Sequence, residues 1–295
     1  MHVRIITNPK SGRSRGGAAA DAAAEVLRAA GWQVDVTPTS APGQATELAH
    51  AAAANCDLVV ACGGDGTLSE VVNGLRGLDR AVGFIPAGTG NDFASTVGVS
   101  HNPVMAARQI LGGGPHPVDL LEFGDGTRAA INVIGVGFDA AVAARMNRST
   151  RAAGRSCAYV GAIVMELARL SPARVTLRVD GQQWHGEVLL IALANAQSYG
   201  AGMRIAPHAR VDDGLMDVVL VQPMGRVQLL CKLPQVFRGT HLELPQVLTW
   251  QAREVTIEGE GRLPVMIDGD LRTETPLHVR VAPGAVPFWL PDKPR

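Results

Sequence analysis

The stretch DLVVACGGDGTLSEVVNG, from Asp57 to Gly74, predicts a strand that passes through a glycine-rich turn directly into a helix. The apolar run Leu58 to Cys62 is typical of a buried strand, and the letters GGDG at 63–66 form the turn. The helix is expected to begin at Thr67, because apolar residues then recur with the spacing of one helical face. These residues are Leu68, Val71, Val72, Leu75 and Leu78. Thr67 and Glu70 also have the spacing of a capping box, in which two side chains satisfy free N–H groups of the first helical turn.

This glycine turn is a candidate phosphate site. Glycines let backbone N–H groups approach a phosphate closely, and the positive end of the helix dipole favours an anion. The stretch is neither a G-x-x-x-x-G-K-[ST] loop nor a G-x-G-x-x-G loop. A turn of this kind also occurs as a plain connection in α/β domains. Asp65 favours the functional interpretation, because a carboxylate among phosphate-binding amides needs a bridging divalent cation or a hydrogen-bonding role of its own.

Strands and helices alternate through the N-terminal part of the chain. The predicted strands are Val3 to Thr7, Trp32 to Thr37, Leu58 to Cys62 and Ala81 to Ile85. The predicted helices are Ala18 to Ala30, Thr46 to Ala54 and, after the opening stretch, Phe93 to Val97. This alternation predicts a parallel sheet with right-handed crossovers, and ligands of such sheets bind at the carboxyl ends of the strands. Three polar turns are expected at that edge: Asn8 to Gly12, Gly63 to Thr67 and Gly88 to Asp92.

The sequence changes character after the run GGGP at 112–115, so we place a domain boundary near Pro117. Strand patterns dominate from there on. They are Arg128 to Val136, Arg174 to Val179, Glu187 to Ala194, Leu215 to Val221, Glu254 to Glu258, Val265 to Ile267 and Leu277 to Val281. Asp180-Gly181 predicts a β-hairpin, and one helix is predicted at Tyr159 to Leu170. The second half is therefore expected to be a mainly antiparallel β-sandwich.

Composition excludes several classes of protein. The chain has 295 residues with 27 Lys and Arg against 27 Asp and Glu, so no overall field favours binding to nucleic acid. The 4 cysteines and 8 histidines lack the spacing of a zinc site. The first residues enter a strand pattern without the segments of a signal peptide, and no apolar run is long enough to span a membrane. We expect a cytoplasmic protein whose membrane contact is peripheral.

One basic stripe and two acidic groups stand out in the second half. The stripe has nearly helical spacing, typical of a solvated face or of a surface for anionic headgroups or nucleotide phosphates. It consists of Arg145, Arg148, Arg151 and Arg155. Asp212-Asp213-Gly214, with Asp217, is either a turn before a strand or a site for a hard cation. Asp268-Gly269-Asp270 is, by sequence alone, a hairpin turn.

Five motifs, taken together, resemble the diacylglycerol kinase catalytic-domain family, and within it the soluble bacterial lipid kinases of the YegS and diacylglycerol kinase type. They are NPKSG at 8–12, GGDGTLSEVVNGL at 63–75, PAGTGNDFA at 86–94, YGAGMRIAPHARVDDGLMDVVLV at 199–221 and IDGD at 267–270. The motifs keep the family's order and span nearly the whole chain. GGDGT by itself also occurs in NAD kinases, whereas GTGNDFA resembles diacylglycerol kinases more than sphingosine kinases.

The resemblance implies two domains and a returning C-terminal segment. A Rossmann-like α/β domain over residues 1–117 would bind ATP, and a β-sandwich over residues 118–284 would carry a metal site and contact lipid. Residues 285–295 would pack back on the first domain. The nucleotide-binding residues implied by the motifs are Asn8, Pro9, Lys10, Ser11, Gly12, Thr39, Gly63, Gly64, Asp65, Gly66, Thr67, Leu68, Ser69 and Thr89.

The resemblance also implies the chemistry. The γ-phosphoryl group of ATP would pass to a hydroxyl group of a lipid, most directly diacylglycerol or a related glycerolipid, with Mg²⁺ as cofactor. Asp268 matches the family's proton acceptor, and Asp270, Asn91 and Asp92 would support it. Asp270 departs from the family's usual glutamate, so its carboxylate lies one methylene closer to the backbone.

A structural Mg²⁺ site is implied as well. The family's ligands map onto the Asp213 carboxylate and the backbone carbonyls of Arg210 and Leu215.

Other functions stay open. An NAD kinase-like or sphingosine kinase-like activity is one alternative, although the chain contains no Asn-Glu dipeptide of the kind that NAD kinases use. A catalytically weak, nucleotide-binding regulatory protein is another, supported only by the replacement at Asp270. The expected partners are a lipid taken from a membrane surface and, at the level of the family, a second copy in a homodimer; nucleic acid is not expected.

Overall fold

The alternation in the first part of the chain folds into a parallel sheet, as predicted. The computed structural model of the protein describes residues 1–137, 171–200 and 202–291. Four strands lie side by side in the order β2, β1, β3, β4, and every neighbouring pair is parallel. They are β1 (His2–Thr7), β2 (Gln33–Pro38), β3 (Leu58–Gly63) and β4 (Ala81–Pro86). All residues of β3 and β4 are buried, as expected for strands covered on both faces.

Helices connect these strands and follow them. They are α1 (Ser11–Ser14), α2 (Gly16–Ala29), α3 (Gln44–Ala52), α4 (Asp65–Leu75), α5 (Asp92–Val97) and α6 (Pro103–Leu111). The boundaries of α6 follow from its sequence: the Asn102 side chain accepts the N–H groups of Val104 and Met105 at 3.0 and 3.1 Å, and Pro103 occupies the first turn.

The predicted capping box is wrong. Helix α4 begins at Asp65 rather than at Thr67, and no side chain of its own caps it. Glu70 instead caps the neighbouring helix α3. Its Oε1 accepts the N–H of Gly43 at 2.9 Å, and its Oε2 accepts that of Ala45 at 3.1 Å. Because Gly43 is the N-cap residue of α3 and has no side chain, the carboxylate supplies the cap that this helix lacks.

The second half is a sandwich of β-sheets, as predicted. Its strands are β5 (Gly113–Phe123), β6 (Arg128–Ala130), β7 (Val133–Gly137), β8 (Ala173–Val179), β9 (Gln182–Val188), β10 (Leu190–Ala194), β11 (Met216–Val221), β12 (Val247–Ala252), β13 (Glu254–Gly259), β14 (Pro264–Ile267), β15 (Asp270–Glu274) and β16 (Leu277–Pro291). One antiparallel sheet has the order β12, β11, β10, β7, β14, β15, and β16, β13, β8, β9 are joined in another. Residues of both sheets share one core: Ile134 and Leu193 of the first belong to the same buried cluster as Leu177 and Val255 of the second.

Two stretches predicted as single strands are each divided. Residues 128–136 form β6 and β7, which are separated by Ile131 and Asn132. The N–H groups of these two residues donate to the carboxylate of Asp268. Residues 187–194 divide at Leu189, whose N–H donates to the carbonyl of Val221 at 2.8 Å. The sequence also does not predict β12 or the helix α7 (Arg226–Arg238), which leads into a short 3₁₀ helix at Thr240–Glu243.

The end of the chain returns to the first part of the fold, as predicted. Phe288 of β16 pairs in parallel with Val82 of β4, and its ring centroid lies 4.9 Å from that of Phe93. The indole N–H of Trp289 donates to the carbonyl of Ile110 at 2.8 Å. These contacts make the C-terminal residues part of the first core.

The chain divides into two compact units, Met1–Leu120 with Pro283–Arg295, and Leu121–Ala282. The sequence places these boundaries at residues 117 and 284. In the structure β5 runs through Pro117 without a break. Of the three glycines before Pro115, Gly113 is explained by a close approach, because a Cβ there would lie 2.3 Å from the carbonyl oxygen of Leu290.

Two predicted features lie outside the described residues. They are the helix at Tyr159 to Leu170 and the basic stripe of Arg145, Arg148, Arg151 and Arg155. Among the helices that the structure describes, none is both long enough and apolar enough to cross a membrane.

Candidate active site

Three loops meet at the edge of the parallel sheet where its strands end. They follow β1, β3 and β4 and contain residues 8–12, 63–67 and 88–92. Backbone hydrogen bonds continue past the strand ends, from the N–H of Asn8 to the carbonyl of Cys62 at 3.0 Å and from the N–H of Ala87 to the carbonyl of Gly63 at 2.7 Å. The predicted meeting of three polar turns at one edge is therefore observed.

The backbones of these loops touch, which explains the glycines. A Cβ on Gly88 would lie 2.5 Å from the Cα of Gly64, so neither residue can carry a larger side chain without moving the other loop. Gly12 has a φ of +56°, and a Cβ there would lie 2.1 Å from the carbonyl oxygen of Ala87. The three loops are one packed unit rather than three independent turns.

Two polar side chains lock this unit. Asp65 of the second loop accepts the N–H of Phe93 in α5 at 3.1 Å. Asn91 has a left-handed backbone (φ 56°), and its side chain accepts the N–H of Gly88 at 3.0 Å and donates to the carbonyl of Gly88 at 3.2 Å. Asn91 and Asp92 are both buried. Of the two roles left open for Asp65, the structure shows the hydrogen-bonding one.

The first turn of α4 is open to an anion. Its first N–H groups have no acceptor within the helix, no side chain caps them, and Gly66 is exposed. Thr67 is buried against Gly63, where a Cβ would lie 2.5 Å from the Thr67 hydroxyl oxygen. Leu68 is also predicted to bind the nucleotide. Its side chain is fully buried and its N–H donates to the carbonyl of Gly64 at 3.1 Å, so it contributes to the core.

The first loop is held by its own hydrogen bonds. The Asn8 side chain accepts the N–H of Lys10 at 3.0 Å, and the Ser11 hydroxyl donates to the carbonyl of Asn8 at 2.8 Å. Pro9 lies between them, and the Lys10 side chain is exposed. Gly16 is not among the predicted site residues. A Cβ there would lie 2.0 Å from the carbonyl oxygen of Asn8, so this position next to the first loop also requires glycine.

The remaining predicted nucleotide-binding residues lie at or beside the same edge. Thr39 directly follows β2, and its N–H donates to the carbonyl of Thr7 at 2.8 Å. Thr89 is exposed at the tip of the third loop. Ser69 is half-buried in α4.

Asp268 lies in the turn between β14 and β15. Asp268 and Gly269 have φ values of 49° and 92°, so the predicted hairpin turn is confirmed. The N–H of Asp268 donates to the carbonyl of Val133 at 3.1 Å. Its carboxylate accepts the N–H of Ile131 on Oδ2 at 3.1 Å and that of Asn132 on Oδ1 at 2.8 Å. The interruption between β6 and β7 therefore lies at the two residues whose N–H groups bind the Asp268 carboxylate.

Asp180 has nearly the same surroundings in another hairpin. Its φ is 45°, its N–H donates to the carbonyl of Glu254 at 3.0 Å, and its carboxylate accepts the N–H groups of Arg253 and Glu254. Asp180 is exposed, whereas Asp268 is half-buried. The hydrogen bonds of Asp268 thus fix the orientation of its carboxylate, and they do not by themselves make it a proton acceptor.

A buried asparagine supports the segment that binds Asp268. The Asn195 side-chain N–H₂ donates to the carbonyl of Ile131 at 2.9 Å. The backbone N–H groups of Asn195 and Ala196 donate to the carbonyl of Asn132 at 2.9 and 3.1 Å. Asp270, at the start of β15, is exposed. The sequence analysis missed Asn132 and Asn195, and no local signal marks them because their partners are distant in sequence.

The acidic turn before β11 brings oxygen ligands together. Asp213 accepts the N–H of Leu215 at 3.1 Å, and Arg210 donates to Asp212 at 3.3 Å. Burial, and then the neighbouring carboxylate of Asp213, raise the pKa of Asp217 to about 6. Over the described ranges, no group of three or more His, Cys, Asp and Glu could hold a metal ion. Carboxylate and backbone carbonyl oxygens are the ligands that a hard cation takes, and Asp213 lies between the carbonyl groups of Arg210 and Leu215 in sequence.

Both halves of the chain match families of known proteins. Residues 2–123 match the diacylglycerol kinase catalytic domain, and residues 132–289 match the YegS C-terminal NAD kinase beta sandwich-like domain. A protein of Mycobacterium tuberculosis named diacylglycerol kinase is 35% identical over 300 residues, which cover 98% of this chain and 95% of the relative. A Pseudomonas putida protein named "Probable lipid kinase YegS-like" is 31% identical over 268 residues, which cover 90% and 88%.

Solved structures share the fold. A crystal structure of a diacylglycerol kinase from Bacillus anthracis has a TM-score of 0.75 at 24% identity and covers 98% of this chain and 96% of its own. A second structure from that organism has a TM-score of 0.82 at 25% identity, with coverage of 98% and 94%.

Proposed function

The chain belongs to the diacylglycerol kinase catalytic-domain family, and from this we propose that it is a lipid kinase that transfers the γ-phosphoryl group of ATP to a hydroxyl group of diacylglycerol or a related glycerolipid. The observation that carries the proposal is the packed unit of three glycine loops at the strand ends, with the open first turn of α4 within it. Phosphoryl transfer depends mainly on positioning and on stabilising charge, and rigid backbone donors supply both.

In this proposal the loops bind the phosphates of ATP. The N–H groups of Asp65, Gly66 and Thr67 belong to the first turn of α4 and have no acceptor within the helix, and negative charge is favoured at this end of a helix. The exposed Lys10 adds a positive charge from the first loop. Asp65 keeps the second loop fixed against α5, so its mutation would disturb the position of the donors.

Asp268 is the proposed proton acceptor. Two backbone N–H groups stabilise its carboxylate as an anion and orient it. General-base assistance of this kind is typically worth about 10² to 10⁴ in rate. Asp270, Asn91 and Asp92 support the site: Asp270 borders the same turn, and Asn91 and Asp92 are buried parts of the third loop.

Mg²⁺ is proposed in two places. Bound to ATP, it would offset the negative charge of the phosphates. A second ion would be held by the Asp213 carboxylate and the backbone carbonyls of Arg210 and Leu215, because these are oxygen ligands of the kind that a hard cation takes.

A panel of acceptors tests the proposal. The purified full chain is incubated with Mg²⁺, with ATP labelled in its γ-phosphate, and with diacylglycerol, phosphatidylglycerol, sphingosine or NAD in separate reactions. We expect label in the product from a glycerolipid.

The other outcomes identify the alternatives. Transfer to sphingosine or NAD alone would replace the proposed acceptor. Binding of ATP without transfer to any acceptor would favour a nucleotide-binding regulatory protein.

A further inference from the structure

Helix α7 is apolar on both of its long sides. Its inner side carries Leu229, Leu233 and Val236, which pack against a buried cluster of the sandwich. Its other side, which we call the outer face of α7, is exposed to solvent. The outer face consists of Val227, Leu230, Cys231, Pro234 and Phe237. None of the residues of the helix is fully buried.

The outer face is unusual for a surface helix. Such helices normally present charged residues to solvent on the side away from the core. Among the described residues, five large hydrophobic side chains are exposed, and three of them, Val227, Leu230 and Phe237, lie on this face. Val227 is 76% exposed. These side chains form a small apolar patch where a surface helix normally carries charged residues.

Positive charge lies at both ends of the outer face. Arg226 begins the helix and Arg238 ends it, and both are exposed, whereas residues 222–242 contain no Asp or Glu. Lys232 lies on the opposite side of the helix, because residues two apart do not share a face. In the part of the chain that the structure describes, no carboxylate forms an ion pair with any of these three cations. Apolar side chains bordered by unpaired Lys and Arg are typical of helices that lie in the interface of an anionic bilayer.

We propose that the outer face of α7 docks on the surface of a bilayer that contains anionic lipids. Leu230 and Phe237 would enter the boundary between headgroups and acyl chains, and Arg226 and Arg238 would contact the headgroups. The inference rests on the proposed function, because a kinase that phosphorylates a membrane lipid must reach its acceptor at the bilayer. It adds which surface of the protein makes that contact.

A second copy of the chain fits this face less well. The 13 residues of α7 span about 20 Å at a helix width of about 10 Å, so the face covers on the order of 200 Å². Stable protein interfaces bury about 800 Å² on each partner. Two-fold pairing of antiparallel copies would also place Arg226 of one helix beside Arg238 of the other, and like charges in an interface are repulsive.

Vesicle binding tests the proposal. The full chain is sedimented with vesicles of phosphatidylcholine alone and with equimolar phosphatidylcholine and phosphatidylglycerol. We expect binding that is stronger with phosphatidylglycerol. The double variant Leu230→Gln/Phe237→Gln should lower the partition coefficient by about tenfold or more, because it removes the largest apolar side chains of the face.

Two further variants separate the electrostatic contribution to vesicle binding from the effect of any exposed apolar side chain. Arg226→Gln/Arg238→Gln should reduce the preference for anionic vesicles by about fivefold for each cation. Met105→Gln is the matched control, because Met105 is 46% exposed on α6 and is not part of the outer face. It should bind vesicles like the wild type. Equal binding by Leu230→Gln/Phe237→Gln and Met105→Gln would overturn the proposal.

Two measurements exclude other occupants of the face. Sedimentation velocity without lipid should give the same mass for the wild type and for Leu230→Gln/Phe237→Gln. If the wild type is a dimer, and Leu230→Gln/Phe237→Gln is a monomer that still binds vesicles, the face belongs to the interface with a second copy. Cys231 should react with a maleimide in solution, with Cys231→Ser as the reference. Protection of Cys231 would show that another segment of the chain covers the face, and it would also overturn the proposal.

The same variants distinguish this inference from the proposed function. With a short-chain diacylglycerol that stays monomeric in water, Leu230→Gln/Phe237→Gln should transfer phosphate as fast as the wild type. If the wild type binds anionic vesicles through α7 but phosphorylates no lipid, the proposed function fails and the docking surface stands. If it phosphorylates monomeric lipid but does not bind vesicles, the docking surface fails alone.

Discussion

Asp65 and Glu70 lie on the same helix, and each carboxylate binds the backbone of a different segment. Asp65 accepts the N–H of Phe93 and so holds the second and third loops together. Glu70 accepts the N–H groups of Gly43 and Ala45 and so fixes the start of α3. An ionised acceptor roughly doubles the strength of a hydrogen bond. At the residue scale, the position of the candidate phosphate site therefore depends on charged side chains that need not touch the ligand.

His241 gives a pH dependence at the same scale. It is 2% exposed, its Nε2 lies 3.1 Å from the carbonyl oxygen of Ile205, and burial lowers its pKa below 6.5. The unfolded chain takes up a proton there near pH 6.5, whereas the folded protein stays neutral to a lower pH. The contribution of His241 to the free energy of unfolding is therefore lost as the pH falls below 6.5. Relative to His241→Gln, whose amide can still donate to Ile205, the wild type should lose thermal stability on acidification.

The control for this prediction is His50→Gln, because His50 is exposed on α3. Its melting temperature should keep a constant offset from that of the wild type as the pH is varied. If the melting temperatures of the wild type and His241→Gln change with pH in parallel, burial does not lower the pKa of His241.

At the scale of elements, the pairing of α3 with α4 depends on Glu70. Glu70→Gln keeps the size of the side chain but places an amide N–H₂ against one of the two donors, so one capping bond is lost. We expect the free energy of unfolding, measured by urea denaturation, to fall by about 1 to 2 kcal/mol. Glu25→Gln is a matched control, because Glu25 is exposed on α2. A loss of equal size in both variants would mean that the cap contributes nothing.

Sequence periodicity predicted the strands of the first half and most of its helices, but not α1 or α6. The strands β1 to β4 are short apolar runs separated by turn residues and helices, so their order and the edge that carries the loops follow from general rules. The exact start of α4 could not be predicted from the sequence. Thr67 and Glu70 have capping-box spacing, but the partner of Glu70 lies in the preceding helix, and a local pattern cannot show a contact with another element.

The elements missed in the second half have physical reasons too. Helix α7 contains Pro234 in its interior, and proline normally ends or kinks a helix, so the sequence does not predict this helix. The break at Ile131 and Asn132 lies inside an apolar run and exists because of Asp268, which is distant in sequence. Asp268-Gly269 and Asp180-Gly181 are the same turn by sequence and by local geometry. Only the family resemblance selected Asp268, so that residue could not be predicted from local pattern alone.

At the scale of the whole molecule, binding of a cation should be coupled to folding. We expect Mg²⁺, added without nucleotide at about a hundred times its dissociation constant, to stabilise the wild type by about 3 kcal/mol, which differential scanning fluorimetry detects as a higher melting temperature. Asp213→Ala should lose this increase. If that variant responds to Mg²⁺ as the wild type does, the proposed structural site is wrong.

Asp125→Ala is the matched control for the Mg²⁺ response. Asp125 accepts the N–H of Thr127 at 3.0 Å, as Asp213 accepts that of Leu215 at 3.1 Å, so both substitutions remove the same kind of turn contact. Asp125→Ala should keep the full response to Mg²⁺.

The most direct test of Asp268 as the proton acceptor compares phosphoryl transfer by Asp268→Asn and Asp180→Asn. Both substitutions replace a carboxylate that binds two backbone N–H groups in an Asp-Gly hairpin, so both should cost similar stability. With ATP labelled in its γ-phosphate and diacylglycerol as acceptor, Asp268→Asn should bind ATP like the wild type and transfer label about 10² to 10⁴ times more slowly. Asp180→Asn should transfer label at nearly the wild-type rate. Turnover by Asp268→Asn close to that of the wild type, or an equal loss in both variants, would contradict the assignment of Asp268 as the proton acceptor of a lipid kinase.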